Sequence, residues 1–463
     1  MKENKERFDR VLNTWDVISL AFGAAIGWSW VVLSGSWLEK AGTFGAILAF
    51  VLGGIMVLFV GLTYAELTPA MPECGGEHVF SKRALGWNWS FVCTWSLVLG
   101  YFGVTAFEAC ALPSVAQYLF PGMMKNYLYT IDGNDIYLTS VLVGSGCALL
   151  ITFVNYIGVK FSSFVQGLMT GAILLTAVLL LTGAGFSGNI ENAKPLFKNG
   201  AGGLVSVLVA TPFLLTGFDV IPQAAEEINI PVKKIGSVIV ISITMSVVFY
   251  ALIILGLSLI MTDAEINAAA LVTADALTKA WGGKRIGGII IIIGGMAGIL
   301  SSWNAFLMGG SRCVYAMADS GMLPYYLARI HPKYKTPSNA VLLLGILSAL
   351  APFLGKSMLT WLTNAGSFGI TFAYLLVAIS FLRLKRTEPG LTRPYKVKNG
   401  KLVGVMAIIT TSILLCLYLP GMSAAIGPPE WIIILTWSIL GAVLFLVKSK
   451  ERIRSMEEGE TNG

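Results

Sequence analysis

Long apolar runs recur along the whole chain, and no other feature of the sequence limits its fold so severely. Twelve can be marked out, near Val11–Leu38, Thr43–Tyr64, Trp87–Leu119, Tyr137–Tyr156, Val159–Thr182, Leu204–Ala225, Ile235–Met261, Ile286–Ala318, Ser338–Leu354, Leu359–Leu382, Leu402–Leu419 and Trp431–Val447. About 20 apolar residues suffice to cross a bilayer as a helix. The composition agrees: 56% of the 463 residues are hydrophobic and 12% are charged, where a soluble domain carries about 25% charged residues. A soluble domain could not hide that much apolar surface, so the expectation is an all-α polytopic membrane protein with the bilayer as its solvent.

The net charge of +7 could suggest a nucleic-acid partner, but its distribution argues against one. With the N-terminus inside, 24 of the 32 Lys and Arg fall in or beside inner segments. That is the positive-inside pattern of a membrane protein with both termini cytoplasmic. Residues 1–10 are charged and lack an apolar core of their own, so no cleavable signal peptide is visible and the first span doubles as the targeting signal. None of the six Cys falls in an outer loop, which predicts no disulfide. No Cys/His spacing suits zinc, and no cofactor is implied.

Two spans are interrupted. Leu20–Leu33 reads LAFGAAIGWSWVVL, with Gly23 and Gly27 in mid-membrane. Each glycine weakens a helix by about 1 kcal/mol relative to Ala. Pro212-Phe213-Leu214-Leu215-Thr216-Gly217-Phe218-Asp219 is a second weakened stretch. Broken helices expose N–H groups at one new end, which suit a carboxylate, and C=O groups at the other, which suit an ammonium. A zwitterionic amino acid matches both. Paired interruptions in two halves point to a transporter's binding site. The alternative for Gly23 and Gly27 is a packing notch, since their spacing is GxxxG.

Other polar residues leave choices open. Asp16 either caps the first helix or joins a cytoplasmic gate. Glu108 is a lone carboxylate in the third span, either functional, as ionisable groups inside spans tend to be, or meeting water near the outer end. Lys160 opens the fifth span, either snorkelling to the interface or pointing inward. The stretch Pro121–Ile136 reads as an outer loop and Asp263–Gly282 as an outer amphipathic helix. The chain after Val447 reads as a disordered charged tail. Gly355-Lys356-Ser357 ends like a phosphate loop, but Leu350 stands at the first required glycine. With only His78 and His331 present, both in inner loops, a Ser–His or zinc hydrolase is disfavoured and the chain is read as a non-enzyme.

Five segments in order carry a resemblance: GAAIG in the first span, YAELTPAMPECGGEHVFSKRALG after the second, NYIGVK before the fifth, TGFDVIPQAAEEINIPVKKIG around the sixth and SRCVYAMADSGMLPYYLARIHPKYKTPSNAV after the eighth. Across most of its length the chain resembles the amino acid–polyamine–organocation (APC) family of transporters, bacterial-type amino acid permeases in particular. The resemblance implies a leucine-transporter-like fold, with a 5+5 inverted repeat, 12 transmembrane helices and spans 1 and 6 discontinuous. It divides the chain into a cytoplasmic segment at 1–10, repeats at 11–187 and 188–385, two additional helices at 386–447 and a cytoplasmic tail at 448–463. It implies a permease or exchanger of the cytoplasmic membrane working by alternating access, sodium-independent and proton-linked, with an amino acid as substrate. A polyamine or other organic amine is the alternative; a non-transporting sensor or a channel is the alternative of another class.

The resemblance also assigns residues. The substrate carboxylate is expected at the main-chain amides of Ala25, Ile26, Gly27, Trp28 and Ser29. The amine is expected at the second break, at Phe213, Leu214, Thr216 and Gly217, with Phe213 also matching an aromatic gate. Lys160 matches a lysine that stands in for sodium between the first and eighth spans near Ser301 and Ser302. Asp219 matches a proton-sensitive carboxylate, and Glu108 joins these as a coupling or gating candidate. One departure is Trp28-Ser29-Trp30, where relatives carry small residues, so the pocket here is expected to be narrowed or to offer a stacking surface. No metal site is expected, and no oligomeric state follows.

Overall fold

In the computed structural model, residues 8–460 are described apart from Ala270 and Ser423, with the side chains described as far as Lys448. Residues 1–7 of the expected cytoplasmic segment and 461–463 of the expected tail lie outside that range.

The chain is helical almost throughout. A short helix α1 (Thr14–Ala25) leads into α2 (Ser29–Val32) and then α3 (Ser34–Ala70), which bends at Gly42, where the backbone is not helical. Helix α4 (Glu77–Leu85) lies in the connector expected on the inner side, and α5 (Trp87–Leu119) follows. After a hairpin of β1 (Tyr127–Ile131) and β2 (Asn134–Tyr137) come α6 (Leu138–Tyr156) and α7 (Val159–Ser187). The second interrupted region is α8 (Gly200–Leu208), α9 (Thr211–Leu214) and α10 (Val220–Gln223). Helix α11 (Val232–Ile260), the short α12 (Asp263–Ala268) and α13 (Val272–Ala280), and α14 (Ile286–Asp319) come next. The chain closes with α15 (Ser338–Leu350), α16 (Gly355–Thr387), α17 (Gly400–Leu417) and α18 (Pro428–Glu460).

Among the described residues nine helical stretches are long and apolar enough to cross a membrane, one of them the continuous run Ser338–Thr387. Thr14–Ala25 and Gly200–Leu214 are shorter apolar pieces. The all-α polytopic class expected from the sequence is therefore the observed one, and both interruptions are present.

Local chemistry explains the starts and stops. Asn13 caps α1: its side-chain oxygen accepts from the amides of Trp15 (2.8 Å) and Asp16 (3.1 Å), and Asp16 accepts from the Asn13 amide (2.9 Å). This reciprocal box satisfies donors that a helix start leaves open, so Asp16 has the capping role. Three expectations change. The outer loop at Pro121–Ile136 contains the β-hairpin, because Asp132-Gly133 supplies a tight turn between alternating residues. The outer connector after α11 is two short helices instead of one, the first with its own capping box on Thr262 and Glu265. The tail expected to be disordered continues α18 as helix to Glu460.

Two centres organise the packing. Helix α5 lies against α14 and α16, and α3 lies against α11. At one end of the bundle, Glu66 of α3 is fully buried and held by Lys385 (2.6 Å), Arg393 (3.0 Å) and the Val397 amide (2.8 Å), which fastens the basic 387–399 connector to the bundle. Arg312 and Glu227 form a second buried pair (2.8 Å). The Glu227 carbonyl also accepts from the amides of Val11 (2.9 Å) and Leu12 (3.0 Å), which ties the entry of α1 to the exit of α10.

Candidate functional site

The α1 ladder ends where Ile26 donates to the Phe22 carbonyl (3.0 Å) and turns out of helical geometry. Gly23 does not break the helix. A Cβ there would lie 2.0 Å from Ser301 Oγ and 2.3 Å from Gln166 Nε2, so Gly23 is the packing notch and Gly27 belongs to the break. Among the described residues the amides of Gly27, Trp28 and Ser29 have no backbone acceptor. The Ile26 amide is occupied, and Ala25 is the last residue of α1, so the amide set expected at five residues narrows to three. Tyr250 of α11 holds the break from one side: its hydroxyl donates to the Ala25 carbonyl (3.1 Å) and pairs with Ser29 Oγ (2.9 Å). From another side, a Cβ on Gly298 would lie 2.4 Å from the Gly27 carbonyl oxygen, so α14 can approach only as glycine. Trp28 packs its ring over Gly295.

Glu108 reaches this break. It is 5% exposed, Ser302 donates a short hydrogen bond to its Oε1, and Oε2 has no hydrogen-bond partner. A Cβ on Gly27 would stand 3.4 Å from both Glu108 Oε1 and Ser302 Oγ. The water-facing alternative for Glu108 is therefore wrong: α5 turns the carboxyl inward against Ser302 and the first break. Glu108 and Ser302 thus stand at Gly27, the first of three successive bare amides.

The second break is tied differently. The amides of Leu215, Thr216, Val220 and Ile221 all find backbone acceptors, and the Phe213 carbonyl accepts from Thr216 (3.1 Å). Among the described residues the carbonyls of Leu214 and Thr216 accept from no backbone amide. Gly217 has φ +141°, and a Cβ on it would lie 2.7 Å from Ala24 Cβ and from the Ala25 nitrogen, so the two breaks touch there. Only glycine combines that backbone with that contact. Asp219 is fully buried, accepting from Tyr101 Oη (2.7 Å) and the Gly217 amide (2.9 Å). Phe213 and Thr216 line a cavity of about 20 Å³ that faces α3, α16 and α17.

Lys160 is exposed at the start of α7 and does not lie between α1 and α14. Gln166, on the same helix, takes that place. Its amide nitrogen donates to the Ser19 carbonyl (3.1 Å) and to Ser301 Oγ (2.7 Å), and its oxygen accepts from Asn304 (2.8 Å). Asn155 and Ser162 complete the chain on the Asn304 oxygen, at 2.8 and 2.9 Å. The expectation fails because one basic residue at a helix start outweighed a string of neutral polar ones. Gln166 and Asn304 were legible as polar groups inside apolar spans.

With this geometry in place, comparison with known proteins is informative. The family profile described as "Amino acid permease" matches residues 12–445. The chain belongs to the amino acid permease family. It is 29% identical to the branched-chain amino acid permease BcaP of Bacillus subtilis (strain 168) over 96% of this chain and 93% of that protein. A methylthioribose transporter of the same organism is 26% identical over 96% of this chain and 94% of its own length. Cationic amino acid transporter 4 of Homo sapiens is 25% identical, covering 82% of this chain and 61% of the human protein. The protein is a membrane transporter of the APC group and not an enzyme.

Proposed function

We propose that the protein is a secondary active transporter of amino acids in the cytoplasmic membrane, working by alternating access with both termini inside. The observation that carries this reading is the pairing at Gly27: three unoccupied amides beside Glu108, whose Oε2 is buried and free. The amides suit the substrate carboxylate and Glu108 suits its ammonium, each a charge-assisted contact stronger than a neutral one. The free carbonyls of Leu214 and Thr216, beyond Gly217, are additional acceptors for the ammonium. Asp219 is already satisfied by Tyr101 and Gly217, which leaves one free carboxylate at the site and favours a zwitterion over a polyamine or other dication. Two of the named relatives are amino acid transporters, which supports the same substrate class.

Twelve crossings in two five-helix repeats, at 11–187 and 188–385, with two further helices at 386–447, accommodate the two breaks at equivalent places. Sodium independence rests on Gln166 in this reading. Its amide N–H groups fill the Ser19 carbonyl and Ser301 hydroxyl, which a cation between α1 and α14 would need as ligands. Proton linkage is assigned to buried carboxyl groups and not to Lys160.

Uptake of labelled amino acids and amines into liposomes holding the full chain tests the reading. Saturable uptake of amino acids, unchanged when sodium is replaced by choline and raised by an inward proton gradient, is expected. Linear, non-saturating flux would indicate a channel, and uptake of amines alone would overturn the zwitterion assignment.

A further inference from the structure

We propose that Glu77, on the cytoplasmic helix α4, is a proton-carrying residue of this transporter, bound to a proton while the inner side is closed and releasing it to cytoplasmic water when that side opens. The proposal rests on the proton-linked reading above and names a group that the substrate site does not contain.

The start of α4 is pinned on α10. The Gly75 amide donates to the Gln223 carbonyl (3.3 Å), and a Cβ on Gly76 would lie 2.6 Å from Pro222 Cβ. This contact seats the Glu77 side chain, with no exposed surface, against Gln223. Gln223 Nε2 donates a short bond to Glu77 Oε2 and a longer one (3.3 Å) to the Asp219 carbonyl, while its own oxygen accepts from Cys313 Sγ (3.1 Å). Glu77 Oε1 has no hydrogen-bond partner, and neither has the buried hydroxyl of Tyr64 that acts on it from α3.

Two carboxyl groups thus stand on either side of one glutamine, in unlike surroundings. Asp219 receives two donors, an arrangement that suits an ion. Glu77 faces neutral donors alone, Gln223, its own amide and the Tyr64 hydroxyl, and burying an ionised carboxylate on such support is expensive. The groups that face Glu77 supply no compensating cation. They are Tyr64 on α3, Cys93 and Tyr101 on α5, Asp219 just before α10, Gln223 at its end, Cys313 on α14 and Tyr374 on α16. On α4 itself, His78 is kept neutral by burial, with a pKa lowered to about 3, and bonds to Ser320 (2.5 Å) and Ser90 (3.1 Å). Lys82 is exposed, and among the described residues no ion pair reaches Glu77. Burial first, and the nearby Asp219 carboxylate second, push the Glu77 carboxyl well above the ordinary glutamate range.

The step is a simple dissociation. In the closed form Glu77 is a carboxylic acid with its hydrogen on the otherwise unpartnered Oε1. Opening the inner side parts α4 from α10 and admits water. The O–H bond then breaks, the proton passes to a water molecule, and the carboxylate is solvated. Closing reverses each change.

The test uses the full chain in liposomes. Amino acid counterflow at equal pH on both sides comes first, since it examines the substrate reading independently of protons. The pH profile of exchange follows, for wild type and Glu77→Gln. Wild-type exchange is expected to fall about tenfold per pH unit on the alkaline limb. The Glu77→Gln profile should be flat over that range with counterflow retained. A pH-independent wild type would sink proton linkage itself. A Glu77→Gln profile that matches a pH-dependent wild type would overturn the role of Glu77 alone. If Glu77→Gln does not fold, Gln223→Leu serves, because it removes a donor that favours the ionised form. Its midpoint should move to higher pH, and an unmoved midpoint refutes the proposal.

Discussion

The two interrupted helices meet at Gly217, yet they are finished in opposite ways. The break after α1 is held from outside, by Tyr250, Gly298 and Ser302, and its amides at Gly27, Trp28 and Ser29 are left open. The break between α9 and α10 is stitched internally: Asp219 reaches back to the Gly217 amide, and short turns occupy most of its donors. In the proposed reading the open set of donors is the binding surface. A stitched one is a joint, here linked by contacts from the first break through Asp219 and Gln223 to Glu77, and in the proposed cycle it transmits position. The same kind of interruption therefore serves two ends, and which end is decided by side chains supplied from neighbouring helices.

Substitutions that strike one break and spare the other sharpen this contrast. The largest effect is expected from Gly217→Val, which forces a branched side chain into a 2.7 Å gap at φ +141°. A cost of at least about 4 kcal/mol is expected, seen as loss of monodisperse protein on size exclusion. Gly27→Ala has a 3.4 Å gap and should fold, with transport lowered. If both variants fold equally well, the joint at Gly217 is not as tight as described. Next comes Arg312→Met, which strands Glu227 below the second break. A loss of about 3–5 kcal/mol is expected in thermal unfolding. The double variant Arg312→Met/Glu227→Leu should regain most of it, and no recovery would mean that the exit of α10 is held by something other than this pair.

Glu108→Gln acts at the first break alone. Loss of a charge-assisted contact of about 1.5–3 kcal/mol should weaken substrate binding by roughly 10–100-fold, with the unfolding midpoint unchanged or raised. Equal affinity would remove Glu108 from the site. The smallest effect is expected from Lys160→Ala, which touches neither break. Stability should stay within about 0.5 kcal/mol of wild type, and the pH profile of uptake should not move. A shifted profile would restore Lys160 as a coupling group.

Much of this was legible in the sequence, for identifiable reasons. The apolar runs and the positive-inside bias are long-range, redundant signals, so the polytopic class and the existence of both interruptions follow from residue types alone. The exact place of each break does not. Gly23 and Gly27 look alike in sequence, and only the neighbours, Ser301 and Gln166 at one and Glu108 and Ser302 at the other, separate a notch from a break. Lys160 misled because charge stands out in an apolar span, whereas Gln166 does its work through neutral hydrogen bonds to residues more than 130 positions away in the chain. Glu77 was hidden for the opposite reason. In a hydrophilic connector a glutamate is expected to be solvated, and only the packing of α4 against α5, α16 and the end of the second break buries it.

The central claim is that the open amides at Gly27 and the Glu108 carboxylate receive the two charged ends of one amino acid. Competition binding on the purified full chain tests it most directly, with a labelled amino acid displaced by three relatives of the same side chain: the intact amino acid, its decarboxylated amine and its deaminated acid. Displacement by the intact amino acid alone, with affinity lost in Glu108→Gln, is the predicted result. Displacement by the amine or the acid as strong as that by the amino acid would contradict it.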